Sequence, residues 1–143
     1  MTWCKGLTSL PVSFGSLKKL RDIHLEESGI QSLPESFGGL SNLEVLNMTW
    51  CEGVTSLPVS FGSLEKLRHI DLAYSGIQSL PESFGGLSNL QKLNLFGCRV
   101  LKALPQCFTQ LKNLQMLDLQ DCPASPSFRP FQHRMPDNCV VKL

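Results

Sequence analysis

The chain has 143 residues, 42% of them hydrophobic and 17% charged, with a formal net charge of +1. That length carries one domain with a sizeable core, and the composition excludes a disordered chain. The near-neutral charge offers no attraction for nucleic acid or an anionic membrane, so neither is expected as a partner. No apolar run approaches the ~18 residues that span a bilayer. Residues 1–20 lack the charged start, apolar middle and small-residue cleavage site of a signal peptide. The expectation is a soluble, intracellular (cytoplasmic) protein.

The first stretch, MTWCKGLTSLPVSFGS (1–16), returns almost unchanged from residue 48. Met1 stands where Met48 stands, inside a strand motif, so 1–16 reads as the end of a coil without a polar cap. Trp3 is expected to face outward and Cys4 inward. Five related phrases follow, opening at Leu17, Leu40, Leu64, Leu87 and Leu111: LKKLRDIHL, LSNLEVLNM, LEKLRHIDL, LSNLQKLNL and LKNLQMLDL. Their starts are 23 or 24 residues apart, and a 47-residue unit lies above them: 1–47 and 48–94 differ at nine positions.

Each unit alternates L-x-L, which predicts a short strand with one face buried. The second half of each unit opens on L-P, at Pro11, Pro34, Pro58, Pro81 and Pro105. Proline removes a backbone donor and fixes φ there. Gly follows Phe in four of the five units, which suits a turn. Each unit is therefore one coil: a strand, a bend, an extended or 3-10 return, and a second bend. A single coil cannot bury its leucines, but stacked coils can, with the strands forming one parallel sheet. After Cys122 the period stops, and residues 123–143 are expected to cap the last coil through Phe128, Phe131 and Val140, or to be partly disordered.

The pattern L-x-x-L-x-L-x-x-[C/S], followed by an aliphatic residue and L-P-x-x-F-x-x-L, resembles the leucine-rich repeat over roughly residues 1–122. The fold class this implies is an α/β repeat solenoid, right-handed, with a parallel concave sheet and extended or 3-10 convex returns. In detail the chain resembles the repeats of plant intracellular nucleotide-binding leucine-rich repeat receptors of the disease-resistance type. There a 24-residue form with Cys (LNMTWCEGVTSLPVSFGSL) alternates with a 23-residue form (IHLEESGIQSLPESFGGL). Small plant proteins related to Ras-binding repeat proteins use similar LPxSFGxL phrases.

Cys4, Cys51, Cys98 and Cys122 share one slot with Ser28 and Ser75, at the bend after the strand. An inward side chain there can meet backbone groups of the turn, so reduced structural thiols are expected. Cys4 and Cys51 lie two coils apart, roughly 10 Å, beyond the reach of a disulfide. Cys107 replaces a Ser of the return. Cys139, in the tail, is the candidate free or regulatory thiol. The spacing fits no zinc site. Phe14, Phe37, Phe61, Phe84 and Phe108 recur with the period and predict a buried spine. The Asn47-Met48-Thr49 sequon falls in a strand and is read as chance. His24, His69 and His133 join no nucleophile, and no phosphate-binding, hydrolase or kinase signature is present. No catalytic residue, metal or cofactor is expected.

The outward strand slots are the place for function. Six of the nine differences between the 47-residue copies fall in the ten outward slots: Asp22/His69, His24/Asp71, Glu26/Ala73, Glu27/Tyr74, Glu44/Gln91 and Val45/Lys92. Exposed return positions such as Gln31/Gln78 and Ser41/Ser88 did not change. One outward column runs Trp3, Glu27, Trp50, Tyr74, Gly97, Asp121, and neighbouring exposed aromatics are typical interface anchors. A second column, Arg21, Glu44, Arg68, alternates in sign and is expected to pair within itself. The candidate partner-binding residues are Trp50, Tyr74 and Phe96 as anchors, with His69, Asp71, Lys92, Asn94, Glu27, Asn47 and Met116 around them. The expected partner is a protein or another domain of the same chain, with self-association through the uncapped first coil as a further route.

Overall fold

The computed structural model describes residues 5–143; the expected orientations of Trp3 and Cys4 lie outside them. Six three-residue strands form one parallel sheet in chain order: β1 (Asp22–His24), β2 (Val45–Asn47), β3 (His69–Asp71), β4 (Lys92–Asn94), β5 (Met116–Asp118) and β6 (Val140–Lys142). The register joins equivalent residues of each unit, as Ile23, Leu46, Ile70, Leu93, Leu117 and Val141 do along the sheet. The two-fold alternation of each strand turns that column into the core.

The returns are 3-10 turns at Val12–Ser16, Glu35–Gly39, Val59–Ser63, Glu82–Gly86 and Gln106–Gln110. Each follows a proline held in extended conformation with φ between −64° and −68°. The phenylalanine at the centre of each turn points inward and stacks on its neighbour. Ring centroids are 5.4–6.3 Å apart with planes within 6° from Phe14 to Phe108. The following glycine permits this approach: a Cβ on Gly62 would fall 2.1 Å from the Ser83 carbonyl oxygen. Phe37, Phe61 and Phe84 are fully buried together with the leucines of the period. Each such side chain contributes about 1.5–3 kcal/mol of burial.

The sequence reading closes the sheet at the fifth strand, and the structure adds a sixth. Residues 123–143 form a short helix, α1 (Ala124–Phe128), a 3-10 turn (Arg129–Arg134) and β6. Phe128 is buried edge-on against Phe108, 6.4 Å between centroids, and continues the spine without its period. Backbone bonds from Val140 N to Gln115 O and from Leu119 N to Lys142 O, both 2.8 Å, hold β6 to β5, and Lys142 pairs with Asp118 at 3.5 Å. Of the expected capping contacts besides Phe128, Val140 is 58% exposed and Phe131 is 39% exposed. The alternation of β6 was hidden in the sequence because its flanks carry neither L-x-x-L nor L-P.

Candidate functional site

The outward residues divide into three groups. The first lies on the strands and carries the column Asp22, Val45, His69, Lys92, Met116 and Val140. These side chains are half-buried to exposed. The pKa of His69 is lowered from 6.5, first by burial and then by the adjacent Lys92 and Arg68 cations, so the ring presents a neutral imidazole at neutral pH. Beside this column Arg21 pairs with Glu44 at 3.6 Å, both partly solvated. Such a surface pair contributes little to stability.

The second group is the column His24, Asn47, Asp71, Asn94 and Asp118, whose side chains bond along the solenoid. Asn47 donates through Nδ2 to Glu26 Oε1 at 2.7 Å, and Asn94 donates to Asp71 Oδ2 at 3.1 Å. Each also accepts from the backbone two residues ahead: Thr49 N to Asn47, Ala73 N to Asp71, Phe96 N to Asn94 and Gln120 N to Asp118, all 3.0–3.1 Å. These are the local turns that Asn and Asp side chains favour. They hold each strand's exit at a fixed angle. Asn47, Asp71 and Asn94 therefore have their oxygens engaged within the chain.

The third group is a correction to the strand reading. Glu27, Trp50, Tyr74, Gly97 and Asp121 do not lie on the strands but at the bend, three residues beyond their ends. All five are left-handed, with φ of 54°, 63°, 56°, 67° and 55°. A left-handed residue reverses the chain abruptly, and here it swings the next residue, Ser28, Cys51, Ser75, Cys98 or Cys122, into the core. Glu26, Thr49, Ala73, Phe96 and Gln120 belong to the same bend, and Ala73 and Gly97 are buried rather than outward. No glycine pattern marks this corner, since four of its five residues carry side chains.

The inward thiols then bond to the preceding coil. Cys51 Sγ donates to the Leu25 carbonyl at 3.0 Å and Cys98 Sγ to the Leu72 carbonyl at 3.1 Å, with Ser28 and Ser75 hydroxyls alongside. Burial pushes the Cys98 thiol up to about 11. Cys51, Cys107, Cys122 and the half-buried Cys139 also rise, chiefly by burial. All five are free thiols.

At this corner the three anchor aromatics come together. Trp50 stacks face to face on Tyr74, centroids 4.1 Å apart and planes within 8°. Phe96 meets Tyr74 edge-on at 5.2 Å. Gly97 leaves room for the Tyr74 ring, because a Cβ there would lie 2.6 Å from two ring carbons. Trp50 is 46% exposed, while Tyr74 and Phe96 are half-buried. The result is an aromatic step on the rim where the strands leave the sheet; His69, Lys92 and Met116 lie at the opposite, entering end of their strands. Glu27 lies on the same rim, one coil before Trp50. Among the described residues no group of three or more His, Cys, Asp or Glu could hold a metal ion, and no helix is long and apolar enough to cross a membrane.

Comparison with known proteins agrees with this geometry. A family model described as "Leucine rich repeat" matches residues 55–100. No curated protein matches. Among solved structures, the leucine-rich repeat domain of the type III effector XopL is similar at 25% identity and a TM-score of 0.71, covering 94% of this chain and 56% of that one. A leucine-rich repeat protein of Leptospira interrogans is similar in fold at 20% identity and a TM-score of 0.55, covering 95% and 52%. The ectodomain of the Arabidopsis thaliana membrane receptor kinase GASSHO1/SCHENGEN3, solved in complex with CASPARIAN STRIP INTEGRITY FACTOR 2, is similar at 27% identity and a TM-score of 0.66, covering 82% and 14%. The chain spans little more than half the length of the first two. A single parallel sheet with 3-10 returns, repeating every 23 or 24 residues and shared with these structures, is the fold of a leucine-rich repeat solenoid.

Proposed function

We propose that the chain is a protein-recognition module that engages its partner with the outer face of the sheet and the aromatic step on its rim. The carrying observation is the exposed Trp50, stacked on Tyr74 and buttressed by Phe96. It is a rigid apolar anchor on the rim of the sheet whose outer face carries His69 and Lys92. Anchors of this kind dominate binding energy, while charged neighbours set specificity. The GASSHO1/SCHENGEN3 ectodomain, solved in complex with CASPARIAN STRIP INTEGRITY FACTOR 2, supports the same use of the fold. With Asn47, Asp71 and Asn94 bonded internally, their part is to hold the strand exits while the strand column reads the partner.

The alternation of Cys and Ser forms supports placing the module in plant immune-type signalling inside the cell, where the five free thiols among the described residues stay reduced. A small intracellular scaffold related to Ras-binding repeat proteins has the same surface chemistry. In either setting it is a binding module, not an enzyme.

The test is capture of partners by the whole chain, compared with Trp50→Ala and Tyr74→Ala variants and with a Gln78→Ala control on the return side. Partners confirmed by calorimetry with purified components should bind the anchor variants at least about thirty-fold more weakly and the control normally. Unchanged affinity in the anchor variants overturns the site.

A second reading rests on the first coil. Leu17 is 48% exposed, whereas its equivalents Leu40, Leu64, Leu87 and Leu111 are at most 1% exposed. That exposed apolar side chain supports an intramolecular regulatory or structural role against another domain of the same chain, or self-association.

A further inference from the structure

The rim carries two notches related by the 47-residue duplication. The first is lined by Lys5, Glu27, Ser28, Gly29, Trp50 and Glu52. Adding 47 to each number gives Glu52, Tyr74, Ser75, Gly76, Gly97 and Arg99, which line the second notch together with Trp50 and Val100. The floor is kept, Ser28-Gly29 becoming Ser75-Gly76. The glycine is required for the coils to approach, since a Cβ on Gly76 would fall 2.0 Å from the Glu52 carbonyl oxygen.

The ends are reversed in charge, Lys5 becoming Glu52 and Glu52 becoming Arg99. The wall changes from Glu27 to Tyr74, so only the second notch holds the stacked aromatic pair. Glu52 and Arg99 are exposed, and neither enters an ion pair among the described residues. A floor kept and ends reversed is the pattern of one cradle turned to a new ligand.

We infer that the second notch docks an extended peptide segment of the protein partner. The segment sets a basic side chain on Glu52, an acidic one on Arg99, and a flat apolar one against Trp50 and Tyr74 between them. Glu52 and Arg99 are two coils apart, about 10 Å at the spacing of paired strands. A chain in the extended polyproline II conformation rises about 3.1 Å per residue and repeats its direction every three, so two charges three residues apart stand on one face at about that distance. Opposite charges at matched spacing give specificity, and the aromatic pair gives affinity. The inference rests on the protein-recognition reading and names the ligand class of its rim.

The experiment uses the full chain and a synthetic library of extended peptides. It varies the two charges (opposite, both acidic, both basic), their separation (two, three or five residues) and the intervening residue (Trp, Leu or Gly). Binding is read by fluorescence anisotropy at low and high salt. Peptides with opposite charges three apart and an apolar residue between them should bind at least tenfold more tightly than the rest, and added salt should narrow the margin. Glu52→Lys should transfer the preference to doubly acidic peptides and Arg99→Glu to doubly basic ones, both surface variants being checked for fold by circular dichroism. Absence of binding, or a preference unmoved by these reversals, overturns the inference. Peptides that bind whatever their charges, yet release on Trp50→Ala, overturn the charge-matched notch and leave the recognition reading standing.

Discussion

Replacing Gly97 by Ala tests how the aromatic step is built. Gly97 holds φ of +67°, and its added Cβ would lie 2.6 Å from Cδ1 and Cε1 of Tyr74. The backbone part of the cost is that of a left-handed residue with a side chain, about 1–2 kcal/mol. The methyl group must also push the Tyr74 ring off Trp50, forfeiting aromatic pairing of about 0.5–1.5 kcal/mol. The expected loss is therefore about 2–3 kcal/mol, read from urea unfolding followed by far-ultraviolet circular dichroism. In a Tyr74→Ala background the ring is gone and only the backbone part should remain. The double-mutant cycle should then show a coupling of about 1 kcal/mol between positions 74 and 97. Strict additivity, to within about 0.3 kcal/mol, would refute the claim that Gly97 makes room for Tyr74.

Phe61→Ala, at the middle of the spine between Phe37 at 6.1 Å and Phe84 at 5.9 Å, should destabilise the fold by about 3–5 kcal/mol in urea unfolding. Phe14→Ala, at the partly buried end of the stack, should cost clearly less, and equal costs would show that the stack is not a core. His69 has its pKa lowered from 6.5 by burial and by Lys92 and Arg68, so the folded state binds fewer protons than the unfolded one. Its contribution is present above about pH 6.5 and is lost as pH falls through and below that value. His69→Gln should flatten the decline in stability between about pH 7.5 and 5.5, measured by urea midpoints; an unchanged slope would show that His69 is solvated like a free imidazole.

The identity of the rim residues was legible, but their placement was not. Trp50 and Tyr74 could be found because they share a column, with Phe96 one slot and one coil away, and because Glu27 had become Tyr74 between the copies. A two-residue period, continued past the strand, put them on the sheet. It failed because a non-glycine residue adopts left-handed φ at the corner, a conformation without a residue-type signal. Asn47, Asp71 and Asn94 looked like free specificity residues because their type and exposure are those of recognition side chains. Their bonds to Thr49, Ala73 and Phe96 two residues ahead depend on the angle of each strand's exit.

The sequence by itself determined the coil, its length and what it buries. Leucine, proline and phenylalanine recur every 23 or 24 residues, and a short-range period acts through local sterics and the need of every coil to hide the same side chains. The tertiary structure decided everything that arises between coils. It stacked Trp50 on Tyr74, opened two notches over Gly29 and Gly76, bonded the thiols to the preceding coil and drew an aperiodic tail into a sixth strand. Those features join residues about one period apart in the chain, or beyond its end, and come into being only when the coils are laid against one another.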